Sequence, residues 1–384
     1  MSDAFGIYLH WPFCVSKCPY CDFNSHVAAS IDQPRWRAAL LSELDHFAQT
    51  TKDRTVTSIF FGGGTPSLMD PATTAALLER IAARWPLAND VEITLEANPG
   101  TIDAERFAAF RSAGINRLSM GLQALDNDSL RFLGRKHDVE QAVGAVDLAR
   151  RIFPRISFDL IYARPDQTVE GWGAELSRAI AMAADHLSLY QLTIEEGTAF
   201  HPAHARGDFV LPEEDAAARM FDLTQELCQQ AGLPAYEVSN HARPGSECRH
   251  NLLYWQGGDY LGIGPGAHGR STDRSGTVSA LRQYRAPETW LNAVEKNGHG
   301  TQDCLPLTQE ERVEELVLMG LRLRDGIHAP RFARQAGKPL DQAVNGSALT
   351  MMLEEGFLEW CGDTLRATPQ GRLVLNAVIG KLVG

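Results

Sequence analysis

Cys14, Cys18 and Cys21 stand within eight residues of one another in Trp11-Pro12-Phe13-Cys14-Val15-Ser16-Lys17-Cys18-Pro19-Tyr20-Cys21, with no fourth cysteine nearby. Iron–sulfur clusters are held by cysteine thiolates, normally four for a 4Fe–4S cube, so three ligands leave one iron open to an exogenous group. Two other chemistries compete. Structural zinc wants a second ligand pair, for which His10 and His26 are the candidates. A disulfide between residues this close would be strained, and the chain has an odd number of cysteines, seven.

The elements that must hold this loop come from the alternation of short β-rich runs with amphipathic helical stretches between Phe5 and about Tyr190, the pattern of a parallel sheet built from βα units. Strands are expected at Gly6–Leu9, Ser58–Phe61, Val91–Leu95, Arg117–Met120, Ile156–Leu160 and Leu187–Tyr190. Helices are expected at Pro34–Phe47, Pro71–Trp85, Ala104–Ala113 and Val169–Ala183, several opened by proline in the first turn. Six units are fewer than the eight of a closed barrel, and in such folds chemistry sits at the carboxyl ends of the strands. Gly62-Gly63-Gly64-Thr65-Pro66-Ser67 follows the second strand, where glycine lets backbone pass close to a ligand.

The cysteine spacing, with Tyr20 just before the last thiol, and the glycine element together resemble the radical-SAM superfamily. The resemblance covers essentially the whole chain and narrows to the branch that holds oxygen-independent coproporphyrinogen III dehydrogenase and its heme-chaperone relative. It implies a partial (βα)6 TIM-like barrel, a 4Fe–4S cluster on Cys14, Cys18 and Cys21, and S-adenosylmethionine chelating the open iron. It further implies S-adenosylmethionine contacts at Tyr8, Tyr20, Gly63, Gly64, Thr65, Glu96, Gln123, Arg135 and Asp159. Carboxylates suit ribose hydroxyls and an amino group, and a guanidinium suits the methionine carboxylate. Singly, each could be a structural strand-end residue; a series on successive strand ends favours function. One departure is Tyr162-Ala163-Arg164-Pro165, where the family usually has Tyr-Gly-Leu-Pro, which puts the shape of that loop in question.

Two features divide the branch. The dehydrogenase carries a further cysteine two residues beyond the last cluster ligand, where this chain has Phe23. Arg249-His250-Asn251-Leu252-Leu253-Tyr254-Trp255 contains the H-N-x-x-Y-W signature associated with the chaperone. A neutral imidazole is a good iron ligand and aromatics suit a porphyrin face, so His250 is the expected heme contact, with Cys248, His241 and His268 as secondary candidates. The expectation is a heme chaperone that hands heme to acceptor proteins, with decarboxylating coproporphyrinogen dehydrogenase, or another radical-SAM enzyme, as the alternative.

Composition bounds the rest. With 384 residues, 44% hydrophobic and 22% charged, the chain has room for two or three domains. A net charge of −12 lacks the basic field that binds phosphates, which disfavours nucleic acid. The N-terminus Met1-Ser2-Asp3-Ala4-Phe5 shows no targeting pattern and no apolar run could span a bilayer, so a cytoplasmic protein is expected, with peripheral membrane contact left open. Three regions are expected: a radical-SAM core over 1–235, a connecting segment with the signature over 236–303, and a helical, winged-helix-like domain over 304–384. The Gly/Pro/His-rich tract from Asn240 to Gly269 reads as functional loop. In the last region charges nearly balance, which favours a lid or docking role over DNA binding.

Overall fold

The computed structural model describes residues 4–384; Met1–Asp3, at the start of the N-terminal stretch read above, lie outside them. The six expected strands form: β1 (Phe5–Trp11), β2 (Val56–Gly63), β3 (Leu87–Ala97), β4 (Arg117–Gln123), β5 (Arg155–Tyr162) and β6 (His186–Gln191). They lie side by side in chain order, all parallel. The helices between them begin at local start signals. Asp32, Asp70, Asp103, Asp138 and Thr168 each accept a backbone N–H of the first turn, and proline occupies the first turn after Asp32 and Asp70.

Strand periodicity sorts the side chains. The register sets Tyr8, Phe60, Glu96, Ser119, Gly121, Asp159 and Ser188 on one face. The alternate residues Ile7, Leu9, Ile59, Phe61, Leu95, Leu118, Met120, Phe158, Leu160, Leu187 and Leu189 are buried on the other, beneath the helices. The polar row is therefore the concave, functional face, and the aliphatic row is the core.

The tract Asn240–Gly269 is not an open loop. It holds β7 (Asn240–Ala242), a helix over Arg249–Trp255, β8 (Asp259–Ile263) and the start of β9 (His268–Thr272). β8 pairs parallel with β1 as a seventh parallel strand, and β9, β10 (Val278–Gln283) and β11 (Thr301–Pro306) continue the sheet antiparallel. The sheet order is β11-β10-β9-β8-β1-β2-β3-β4-β5-β6-β7, open at both ends. Residues 236–303 thus extend the sheet of the core: one hydrophobic cluster runs from Phe5 to Val294 and a second from Val313 to Leu382. Glu43 ties the extension down, accepting from the Trp290 indole N–H (3.1 Å), Gly264 N–H (2.8 Å) and Gly300 N–H (2.7 Å).

The second cluster is the C-terminal domain, helices packed on a small antiparallel sheet that contains a hairpin, Leu358–Cys361 with Thr364–Ala367. Its first helix, Gln309–Gly320, opens with a capping box between Thr308 and Glu311. The domain is clamped to the barrel: Arg312 Nη2 and Gln335 Nε2 donate to the Gly257 carbonyl at 2.7 and 3.0 Å, and Arg270 pairs with Glu315 at 2.9 Å.

Candidate functional site

The cysteine loop leaves β1 at the carboxyl end of the sheet. The glycine element runs beside it, with Gly64 N–H donating to the Trp11 carbonyl (2.7 Å) and Thr65 N–H to the Phe13 carbonyl (2.8 Å). A Cβ at Gly64 would lie 2.8 Å from the Phe13 carbonyl oxygen, and one at Gly63, whose φ is +112°, would lie 2.6 Å from the His10 ring. Only glycine permits this approach. It brings the Thr65 hydroxyl to the Cys14 sulfur as donor, 3.3 Å away.

Cys18 is served from the loop that follows β4 and a short helix. Gly134 (φ +69°) packs so closely on Pro19 that a Cβ would come within 2.7 Å of it. Arg135 then donates Nη1 to the Cys18 sulfur (3.4 Å) and Nη2 to the Gly121 carbonyl (2.7 Å). Phe200 N–H donates to the Pro19 carbonyl (2.9 Å), and Tyr20 packs on the Phe200 ring. All three thiols are free and half-buried. Burial pushes the Cys14 and Cys21 thiols up.

Glu96, on β3, accepts the Gly63 N–H at 3.2 Å. Burial, then the charge of Asp159, raises it to about 8, and burial raises Asp159 itself to about 6. Gln123 closes β4 with φ +77° at a shift of the β4–β5 register, the kind of bulge that re-aims a side chain. Gln123 Oε1, Asp159 Oδ1 and Arg135 Nε are buried without a protein partner. Unpaired buried polar atoms are costly unless something else meets them. Three half-buried thiols, two of them met by hydroxyl and guanidinium donors, beside orphaned amide, carboxylate and guanidinium atoms fit a three-thiolate cluster with a polar, charged ligand next to it. Zinc fits less well. His10 has both ring nitrogens engaged, with the Tyr8 hydroxyl (3.0 Å) and the Asn24 carbonyl (2.9 Å).

His250, the expected heme contact, lies inside the barrel. It lies on the helix Arg249–Trp255, which plugs the concave face near the start of the strands; a Cβ on Gly6 of β1 would meet Leu253 at 2.5 Å and His250 at 3.2 Å. Its Nδ1 pairs with the Ser58 hydroxyl (2.9 Å) and its Nε2 with the Tyr254 hydroxyl (2.8 Å). It stacks on Phe60 and is 1% exposed. An axial ligand needs a free nitrogen and an open approach, and this ring has neither. The rest of the signature is structural too: Asn251 reaches the Tyr236 hydroxyl (3.4 Å), and Trp255 lies under the Arg322 guanidinium of the C-terminal domain. Cys248 and His241 are fully buried. His268 is exposed.

A cavity of about 290 Å³ opens at the carboxyl ends of the strands, lined by the expected S-adenosylmethionine contacts Tyr8, Gly63 and Glu96 together with His10, Phe23, Tyr254, Tyr260 and His268, which sequence reasoning did not place there. The pairing of β8 with β1 brings Tyr260 to its wall, and no local pattern announces that pairing.

A partial barrel of parallel strands with three cysteines on the loop after the first strand is the construction of a radical-SAM protein. Residues 8–176 match the Radical SAM superfamily and residues 307–374 the HemN C-terminal domain. The chain is 43% identical to radical S-adenosyl methionine domain-containing protein 1, mitochondrial, of Mus musculus, covering 98% of this chain and 87% of that one. It is 38% identical to the heme chaperone HemW of Escherichia coli, covering 97% of each. The solved structure of coproporphyrinogen III oxidase (HemN) from Escherichia coli, described as a radical SAM enzyme, superposes with a TM-score of 0.82 over 98% of this chain at 22% identity, a likeness of fold. The chain belongs to the radical-SAM family that contains HemW and its mitochondrial relatives.

Proposed function

We propose that this protein is a heme chaperone on a radical-SAM scaffold, which binds heme and passes it to acceptor proteins. The observation that carries the reading is the similarity to HemW over 97% of both chains, and Phe23, which removes the thiol expected of a dehydrogenase, supports it. Cys14, Cys18 and Cys21 would hold a 4Fe–4S cluster, which when bound supplies a redox-active iron with an open coordination position. Tyr8, Tyr20, Gly63, Gly64, Thr65, Glu96, Gln123, Arg135 and Asp159 would hold S-adenosylmethionine beside it. In this role Arg135 presents charge to a carboxylate while Glu96 and Asp159 accept from amino and hydroxyl groups. Free thiols and an oxygen-sensitive cluster fit a reducing compartment such as the cytoplasm. No helix of the described residues is long and apolar enough to cross a membrane.

Parallel assays on anaerobically reconstituted protein test the proposal. Hemin should bind specifically, and coproporphyrinogen III should not be converted to protoporphyrinogen IX under reducing conditions with S-adenosylmethionine. Clear turnover without hemin binding would replace this reading by the dehydrogenase one.

A further inference from the structure

We infer that His10 is a positioning residue of the S-adenosylmethionine site: it accepts the hydrogen bond of the Tyr8 hydroxyl, so that Tyr8 meets the ligand only as an acceptor. This rests on the assignment of that site above. His10, on β1, is 6% exposed, and burial lowers its imidazole to about 4, so at neutral pH the ring is uncharged and carries one N–H. Its Nε2 lies 2.9 Å from the Asn24 carbonyl, which can only accept, so the proton sits on Nε2. Nδ1 then keeps its lone pair, and the Tyr8 hydroxyl, 3.0 Å away, is its donor. A hydroxyl has one proton. With that proton turned to His10, lone pairs are what the Tyr8 oxygen offers to the cavity that Tyr8, His10, Gly63 and Glu96 line.

The fixed point of this relay is Asn24, and the sheet extension holds it. Asn24 Nδ2 donates to the Pro265 carbonyl, between β8 and β9, and to the Arg285 carbonyl, beyond β10, each at 2.9 Å. Its Oδ1 accepts from His26 Nε2 at 3.2 Å. The loop also packs tightly there: a Cβ on Gly266 would lie 2.4 Å from Asn24 Nδ2. Asn24 therefore keeps its place independently of His10, and its carbonyl decides which ring nitrogen carries the proton. The ring itself has no room to turn over, because its Cε1 edge lies against the glycine element, 2.6 Å from where a Cβ on Gly63 would sit. An acceptor oxygen suits the amino and hydroxyl groups of S-adenosylmethionine, whereas a presented proton would suit its carboxylate, the group for which Arg135 is the expected partner. His10 thus selects which part of the ligand Tyr8 can meet.

The test is calorimetry of S-adenosylmethionine binding to the full-length, cluster-loaded protein in a double-variant cycle of His10→Ala and Tyr8→Phe. Each single variant should bind about 10-fold more weakly. Iron content should stay unchanged, because the hydrogen bonds of both side chains go to each other and to Asn24 and not to a thiol. The double variant should also lose about 10-fold rather than about 100-fold, because His10 acts through the hydroxyl that phenylalanine lacks. Losses that multiply, or wild-type affinity in folded His10→Ala, would overturn the role of His10. Loss of iron in His10→Ala would do the same, since the ring would then be a prop of the cluster loop. Thermal unfolding establishes that each variant folds. Should alanine fail, nitrogen NMR shifts of the His10 ring in the wild-type protein decide: the proton is expected on Nε2, and a proton on Nδ1 overturns the inference. Absence of S-adenosylmethionine binding by the wild-type protein would instead overturn the site assignment on which the inference rests.

Discussion

Glu96 on β3 and Asp159 on β5 are buried carboxylates on either side of β4, and the charge of Asp159 adds to burial in raising Glu96 to about 8. Asp159, held back by Ser188, Arg117 and Arg135, is itself raised to about 6. Both folded values lie above the ordinary ones of 4.5 and 3.8, so between them the folded chain holds protons that the unfolded chain has lost. Their contribution to stability is greatest below that window, falls as pH rises through it, and is constant above about 8.

Ligand binding has the opposite sign. A bound amino group or sulfonium favours the ionised carboxylates, so S-adenosylmethionine should bind more tightly at pH 8.5 than at pH 6.5 and release protons as it does. Calorimetry in two buffers of different ionisation enthalpy measures that release. Glu96→Gln should remove most of the pH dependence, and a wild-type protein that binds without net proton release contradicts the coupling.

Replacing any one of Cys14, Cys18 and Cys21 with alanine should abolish the cluster absorption after anaerobic reconstitution, because each supplies one of only three thiolates. Cys304→Ala and Cys361→Ala, at exposed positions away from the loop, should retain it. A full iron complement in the triple variant would end the cluster assignment.

The barrel was legible because its information is local. Each strand is a run of β-formers, each early helix has an acidic or threonine cap, and strand ends give the site residues without knowledge of contacts. The tract Asn240–Gly269 was not legible, because its structure is decided at long range. Its helix is only seven residues long, and β8 contains Gly262, where a Cβ would lie 2.0 Å from the His268 carbonyl oxygen. Glycine there weakens the strand pattern while serving the close approach of β9. His250 likewise looks like a ligand in sequence, and only its partner Ser58, on β2, shows it to be structural. The helical, winged character of the C-terminal domain was again readable from local pattern.

His250→Leu tests that structural role. It leaves the Ser58 and Tyr254 hydroxyls without their buried partner, and an unsatisfied buried group costs about 1–3 kcal/mol. Unfolding by urea should show a loss of roughly 2–4 kcal/mol, while hemin binding persists in protein that remains folded. Unchanged stability with loss of hemin binding would return His250 to the role of ligand.

The loop after β5 shows how the departure Tyr162-Ala163-Arg164-Pro165 is accommodated. Ala163 sits at φ +56°, an uncommon conformation for a residue with a side chain, directly beyond the strand that carries Asp159. Arg164, 4% exposed, holds it by donating to the Ile161 carbonyl (2.9 Å) and pairing with Glu175 (2.6 Å). Glu175 also accepts from Leu125 N–H (2.7 Å) and Gln167 (3.0 Å), so one carboxylate fixes the ends of both β4 and β5. Glu175→Leu leaves the buried guanidinium with only a longer pairing to half-exposed Asp126 (3.6 Å) and should cost about 3 kcal/mol. Adding Arg164→Met removes that charge, so the double variant should be less destabilised than the sum of the two singles by at least about 1 kcal/mol. Urea unfolding of the four proteins measures the coupling, and strictly additive losses would show that the pair does not anchor this loop.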